Sequence, residues 1–194
     1  MESRAASTQA TRERVIGAML RLFLDRWYDE ITLSEIAIEA GVALQTVLNH
    51  FSSKEGLLTA LLEDPRLLDE FAGRRFHAEP GNYAGAIDLL VGDYERAGDA
   101  MVRLLGLESR VLAIKPMLDM GRVGQRLWIE SIFAEAVDGV RGEGRARLID
   151  LLVCATDVYT WQILRRDRGH SRAATAAAIL DMVAAITAHS GKEG

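Results

Sequence analysis

The chain reads as an all-α protein of about nine helices, and three observations carry that reading. Only three prolines occur in 194 residues, and runs of β-branched residues are few, so little interrupts helix or favours strand. Apolar residues recur at three- and four-residue spacing, as in Val15, Ile16, Met19, Leu22 and Phe23. Helix start and stop signals fall between such stretches. Thr32 with Glu35, and Ser52 with Glu55, have the spacing of capping boxes, and Gly41 can take the left-handed conformation that ends a helix.

Taken in order, the first helix is expected from about Thr8 or Thr11 to Arg26. Helices at about 33–40 and 44–51 follow, and a fourth begins near Lys54. Leu44 to Phe51 is too short to be stable alone and must be held by tertiary contacts. The residue before Pro65 disfavours helix, so the fourth helix kinks or ends there and restarts through Leu67, Leu68 and Phe71. The Pro80-Gly81 pair makes the stretch from His77 to Asn82 a loop. From Tyr83 the pattern resumes with Ile87, Leu90, Val91 and Tyr94, and Gly98 marks a break before Met101, Leu104 and Leu105. A further helix takes Leu107 to Ile114 and stops before Pro116. A long one carries Val123, Leu127, Ile129, Phe133, Ala136 and Val137 in apolar positions. The eighth runs from about Arg145 to Arg166, and the ninth from Ser171 to about His189. There is no internal repeat or long linker. The domain boundary is placed near residue 53, giving segments 1–53 and 54–194.

Composition narrows the function. Formal net charge is −5, and residues 1–60 carry six Lys and Arg against eight Asp and Glu, which is unfavourable for non-specific DNA binding. No apolar run reaches the roughly 20 residues that span a membrane, and the N-terminus lacks an apolar signal core. The expectation is a soluble, cytoplasmic protein with no membrane partner. Cys154 is the only cysteine, which excludes an intramolecular disulfide, and its apolar helical surroundings suggest a small buried hydrophobe. The four histidines are scattered, no zinc-protease or Cys-x-x-Cys spacing occurs, and no glycine-rich loop could cradle a phosphate. The chain is therefore read as not an enzyme, with no cofactor and no metal.

Residues 32–55 carry the most information. Two short helices joined by a tight turn with Gly41 form a helix-turn-helix, whose second helix can enter a DNA major groove. On spacing alone an ordinary αα-corner would look the same. The segment resembles the N-terminal DNA-binding domain of the tetracycline-repressor (TetR) family of bacterial transcriptional regulators over about residues 11–60. The matching parts are the amphipathic first helix, Thr32-Leu33, Ile36-Ala37, Ala40-Gly41-Val42, Thr46-Val47, His50-Phe51 and Ser53-Lys54-Glu55 with Leu57 and Leu58. The sequence departs from the family at Trp27, where Gly is usual before the aromatic. It departs again at Ala43, where Ser is common, and at Leu48, where Tyr is common. A poor cap at Ala43 costs about 1 kcal/mol of helix stability.

In the second helix Gln45, Thr46 and Asn49 are the candidate base readers, since Gln and Asn pair bidentately with adenine and Thr reaches a base edge or a thymine methyl. Leu44 can touch a methyl as well. His50 and Lys54 resemble the family's phosphate contacts, and Thr32 adds one from its helix N-terminus. A solvated polar face is the alternative for any one of these residues. The alanines of 173–185, with Leu151, Leu152, Ile179, Met182, Val183 and Ile186, give the last two helices wide small-residue and apolar stripes. The resemblance makes this pair a four-helix homodimer interface. It likewise makes Tyr94, Met101, Leu104, Gln125, Trp128, Phe133, Tyr159 and Trp161 the lining of a small-molecule cavity, although such a stripe is also what plain core looks like. Arg103 and Asp157 orient a ligand or face water.

The implied architecture is a three-helix DNA-binding domain followed by a helical ligand-binding and dimerisation domain. The implied function is a regulator, with the repressor sign coming from the resemblance alone. It binds a palindromic operator in double-stranded DNA as a homodimer and is released by a small apolar or aromatic effector. The rival is a ligand-binding helical dimer that has lost operator binding, which Ala43 and Leu48 motivate.

Overall fold

The computed structural model describes residues 2–66 and 74–190, with side chains over 5–66 and 74–188. Among the described residues all regular structure is helical. The expected restart through Leu67, Leu68 and Phe71 lies outside them. By compactness the chain divides into Met1–Leu68 with Arg103–Pro116, and Asp69–Val102 with Met117–Gly194.

The first unit contains α1 (Glu2–Asp25), a 3-10 turn at Tyr28–Glu30, α2 (Leu33–Ala40), α3 (Leu44–Phe51) and α4 (Lys54–Leu62). α1 begins well before the expected Thr8 or Thr11. Its Val15, Ile16, Ala18, Met19 and Phe23 are buried, as are Ile36 and Ala37 of α2, Val47 and Phe51 of α3, and Leu57, Leu58 and Leu61 of α4. Burying each large side chain of this set contributes about 1.5–3 kcal/mol. α1 packs against both α2 and α4, and α3 touches α2 and α4. Because α4 belongs to this body, compactness divides the chain later than the expected boundary near residue 53.

Local signals set the helix ends. The Thr32 hydroxyl accepts from the Glu35 amide at 3.2 Å, and the Glu35 carboxylate accepts from the Thr32 amide at 2.8 Å, so the first capping box forms as expected. Gly41 has φ 65° and ψ 42°, and the Val42 amide donates back to the Ala37 carbonyl at 3.0 Å. The second box differs. Ser53, not Ser52, caps α4 and accepts from the Gly56 amide at 3.0 Å. Ser52 instead reverses the chain after α3, with φ 62° and ψ −40°. Later in the chain, Arg103 of the same unit is half-buried and donates its guanidinium to the Leu24 carbonyl. The 3-10 turn Leu112–Ile114 packs on α4, where a helix from Leu107 was expected.

The second unit is built from α5 (Tyr83–Leu105, up to Val102), α6 (Lys115–Ile132, from Met117), α7 (Ala134–Asp138), α8 (Gly142–Thr156), α9 (Val158–Gln162) and α10 (Arg172–Ser190). Pro116 lies in the first turn of α6, where its missing N–H costs nothing, so it starts a helix and does not merely stop one. The expected long helix is interrupted at Phe133, with φ −103° and ψ 27°. Val123 and Leu127, expected in apolar positions, are 58% and 59% exposed. The expected eighth helix is also split. Asp157 adopts an extended conformation, and its carboxylate accepts from the Tyr159 amide at 2.8 Å to cap α9. Burial raises the pKa of this carboxyl. A π-turn over Ile163–Asp167 closes α9. Cys154 is exposed, not buried, because α8 turns its other side, with Leu148, Ile149 and Leu152, to the core.

Gly98 does not break α5, which runs through it. It admits the Trp161 ring instead: a Cβ at 98 would lie 2.6 Å from Trp161 Cζ3. Gly98→Ala therefore sets helix propensity, which favours Ala by about 0.8–1 kcal/mol, against a forced shift of a buried ring costing about 1–3 kcal/mol. Urea unfolding should show a net loss of about 1 kcal/mol; a gain would mean that Trp161 is loosely held. The reverse logic applies at Ser52, the one non-glycine residue with positive φ among those described. Ser52→Gly should raise the melting temperature, by about 1 kcal/mol of relieved strain. An unchanged or lower value would show that the backbone there is unstrained.

Candidate nucleic-acid interface

α3 is two turns long, and its N-cap, Ala43, makes no side-chain bond to the helix amides. The expected loss of a cap at Ala43 is thus what the structure contains. Val47 and Phe51 point to the core. The opposite side is solvated: Gln45 and Asn49 are exposed and Thr46 is half-buried, as is His50 at its edge; Leu44, on the same face as Val47 and Phe51, is 40% exposed at the open first turn. Gln45 Nε2 donates to Asn49 Oδ1 at 2.9 Å, one helical turn apart. That bond leaves the Gln45 carbonyl oxygen, its second N–H and the Asn49 amide nitrogen unengaged. The candidate base readers therefore share one face, and two of them order each other.

The expected phosphate contacts are placed less freely. The Thr32 hydroxyl accepts from the Glu35 amide and donates to Glu35 Oε2 at 2.8 Å, so it is used on both sides by its own capping box. Glu35 also accepts from Arg26 Nη1 at 2.8 Å. Arg26 first, then the Thr32 amide and hydroxyl, hold this carboxyl down to a pKa of about 2. The stabilisation it contributes is complete above the ordinary carboxylate range and is lost as pH falls toward about 2. His50 lies with its ring 6.0 Å from that of Phe51. Lys54 donates its ammonium to the Tyr28 carbonyl and sits 4.1 Å from the Tyr28 ring centroid. Partial burial lowers its pKa. It anchors the 3-10 turn to the start of α4, with two of its three donors left.

Sequence reasoning missed two neighbours of this face. Tyr28 is the partner of Lys54. Arg12 of α1 lays its guanidinium over the Phe51 ring, 4.7 Å from the centroid. The signal for Arg12 was its spacing, three and four residues before buried Val15 and Ile16.

The residues expected to line a cavity form two aromatic groups in the second unit. Tyr94 and Trp161 are 5.9 Å apart; Trp128 and Phe133 meet edge-on at 6.0 Å, with Tyr83 4.7 Å from Phe133. Their polar handles are satisfied internally. Tyr94 Oη donates to the Thr156 carbonyl at 2.9 Å, Trp128 Nε1 to the Arg75 carbonyl at 3.0 Å and Trp161 Nε1 to Glu95 at 3.0 Å. Leu104 is buried but belongs to the other compact unit. Met101 is half-buried and Tyr159 is 45% exposed. Gln125 is half-buried, and its amide nitrogen is buried without a partner among the described residues. The second unit also holds a buried ion pair, Arg75 with Asp93 at 3.3 Å, that the sequence did not announce.

Residues 15–61 match the profile of the family described as bacterial regulatory proteins, tetR family. Over 94 residues the chain is 35% identical to HTH-type transcriptional regulator AlkX of Mycobacterium tuberculosis, covering 47% of this chain and 39% of AlkX. Over 58 residues it is 40% identical to HTH-type transcriptional regulator SrpR of Pseudomonas putida, covering 30% of this chain and 27% of SrpR. The chain thus spans well under half the length of either relative. The fold is similar to the crystal structure of a tetR-family transcriptional regulator from Streptomyces coelicolor, with a TM-score of 0.77, 22% identity and coverage of 96% of this chain and 84% of that one. A transcriptional regulator from Rhodococcus sp. Rha1 gives 0.71, 16% identity, and 90% and 95% coverage. At such identities the likeness is one of fold. The motif, its profile match and that fold agree: residues 15–61 carry the helix-turn-helix domain of the tetR family of bacterial regulatory proteins, and the chain has the fold of the solved regulators it resembles.

Proposed function

We propose that this protein is a DNA-binding transcriptional regulator, acting as a homodimer on a palindromic operator, and that it is a repressor released by a small apolar or aromatic effector. The observation that carries the DNA reading is the solvated face of α3, where Gln45, Thr46 and Asn49 stand opposite buried Val47 and Phe51, with Leu44 exposed at the first turn. His50, Thr32 and Lys54 are the phosphate contacts of the proposal. Selection from a pool of random duplexes by the purified chain tests it, with enrichment of a palindrome expected. The uncapped Ala43 and the absent hydroxyl at Leu48 favour the second reading, a helical dimer without an operator, and an unenriched pool would select it.

The support for a dimer is the surface of the last helices. α8 and α10 pack together, yet Leu151, Tyr159, Ile163 and the alanines at 173, 174, 177, 184 and 185 remain exposed. The support for an effector site centres on Gln125 and Trp128, one turn apart on α6, where a buried amide nitrogen without a partner among the described residues lies near an aromatic pair. Release then follows from linkage: effector and DNA weaken each other by one common factor.

Three outcomes are expected. Gln45→Ala and Asn49→Ala should each lose about 1–3 kcal/mol of operator binding and relax preference at one position per half-site, whereas Lys54→Ala should weaken all sequences alike. Unchanged sequence preference in the first two variants would remove them as base readers. Ala184→Glu, at a position exposed in the monomer, should convert the dimer to monomer in sedimentation, because an unpaired charge buried in a seam is strongly unfavourable. A monomeric unmodified protein at micromolar concentration would sink the dimer. In a thermal-shift screen of aromatic and apolar compounds, binders should also quench tryptophan fluorescence, and Gln125→Leu should keep operator affinity while losing their effect. An unaltered response in that variant would move the site elsewhere.

A further inference from the structure

We infer that Arg12, stacked on Phe51 at the end of the recognition helix, is a DNA phosphate contact that fixes how α3 lies in the groove. The inference rests on the DNA-binding reading and adds a residue on a different helix from those already named.

The argument starts from charge. Among the described residues of the first unit, four arginines are already neutralised. Arg21 pairs with Glu39 at 2.7 Å, Arg26 with Glu35 at 2.8 Å, Arg66 with Asp64 at 2.7 Å and Arg110 with Asp29 at 2.7 Å. Arg103 is committed to the Leu24 carbonyl and Lys54 to Tyr28. Arg14 bonds weakly to the Thr11 hydroxyl at 3.4 Å and faces the open groove that Arg21, Glu39 and Arg66 also line. Two positions along a helix are about 200° apart, so Arg12 faces the other way. Its partner among the described residues is the Phe51 ring. A cation without a carboxylate partner can meet a phosphate without breaking an ion pair first.

Geometry supplies the second step. Phe51 is the last residue of α3 and is only 6% exposed, so the guanidinium closes over a fixed ring. Stacking uses the guanidinium plane and leaves its five N–H donors at the edge. The arginine is thereby held in one place before DNA arrives, which lowers the ordering cost of the contact. Beside it stands His50, itself proposed to hold a phosphate.

The experiment uses the full chain and the duplex that it enriches from a random pool. Arg12→Met keeps an apolar stem over Phe51 and removes the charge; Arg12→Lys restores the charge. Expected for Arg12→Met are an unchanged melting temperature, roughly tenfold weaker binding in fluorescence anisotropy, and a salt slope shallower by about two for a dimer. Sequence preference at the Gln45 and Asn49 positions should persist, and Arg12→Lys should recover most of the slope. If Arg12→Met binds with the unmodified affinity and slope, Arg12 is only a lid on Phe51 and the inference fails while the DNA reading stands. If the unmodified chain enriches no duplex, both fail together.

Discussion

The packing of α1 beneath the helix-turn-helix is the constraint on which the rest depends. α3 has eight residues and no side-chain cap, and a helix of that length is not stable alone in water. Its shape comes from elsewhere. Val47 and Phe51 are buried where α3 packs on α2 and α4, both of which pack in turn on α1; Val15, Ile16, Met19 and Phe23 of α1 and Leu57, Leu58 and Leu61 of α4 are buried in the same unit. The same burial that fixes the helix decides which of its residues face water. Once Val47 and Phe51 point inward, helical spacing puts Gln45 and Asn49 on the solvated side. Local order on that side is then refined by the bond between the two amides. The composition of the solvated face of α3 is thus a by-product of core packing, and a change in α1 would disturb it.

Charge is the second economy of this unit. Acids outnumber bases over residues 1–60, so the arginines near α2 are drawn into ion pairs, with Arg26 holding Glu35 as part of the box that starts α2. Exposed pairs of this kind add little stability. Their larger consequence is negative: each neutralised arginine is one fewer cation for a polyanion. A minority of the unit's described cations are held in place by aromatic rings, not carboxylates. Arg12 on Phe51 and Lys54 on Tyr28 are that minority. Cation–π contacts fix position while leaving net charge intact, which is what a phosphate needs and an ion pair denies.

What was legible in the sequence was local. The Thr32 box, the Gly41 stop and the apolar stripe of α1 each depend on residues within one or two turns, and each formed as expected. What was not legible depended on partners distant in sequence. Gly98 looked like a helix breaker because glycine is a poor helix former, but its reason is the Trp161 ring, 63 positions on. Ser52 and Ser53 compete for one cap, and the reversal after α3 decides between them. Phe133 and Asp157 interrupt helices in runs whose apolar periodicity continues across them. The exposure of Cys154 and the engagement of Lys54 follow from which neighbour arrives, not from either residue type.

The second unit poses the sharper physical question, whether its aromatics are core or wall. Hydrogen bonding separates the two groups. Trp161 is closed in by Gly98 on one side and by the Arg166 guanidinium, 4.7 Å from its ring, on another; its N–H is bonded to Glu95, as is Arg165 at 2.8 Å. Tyr94 beside it is fully committed to Thr156, and burial holds its phenol up at about 12. The hydrogen-bonding groups of both rings have protein partners, so a ligand reaching them would have to break bonds. Trp128 and Phe133 also pack edge-on with the indole N–H satisfied, yet Gln125 one turn away buries an amide nitrogen that has no acceptor among the described residues. A buried unpaired donor costs about 1–3 kcal/mol, and an acceptor arriving there would recover it. On that asymmetry the Tyr94 and Trp161 rings are held as core by internal hydrogen bonds, while the Gln125 and Trp128 side of α6 keeps one unmet donor among the described residues.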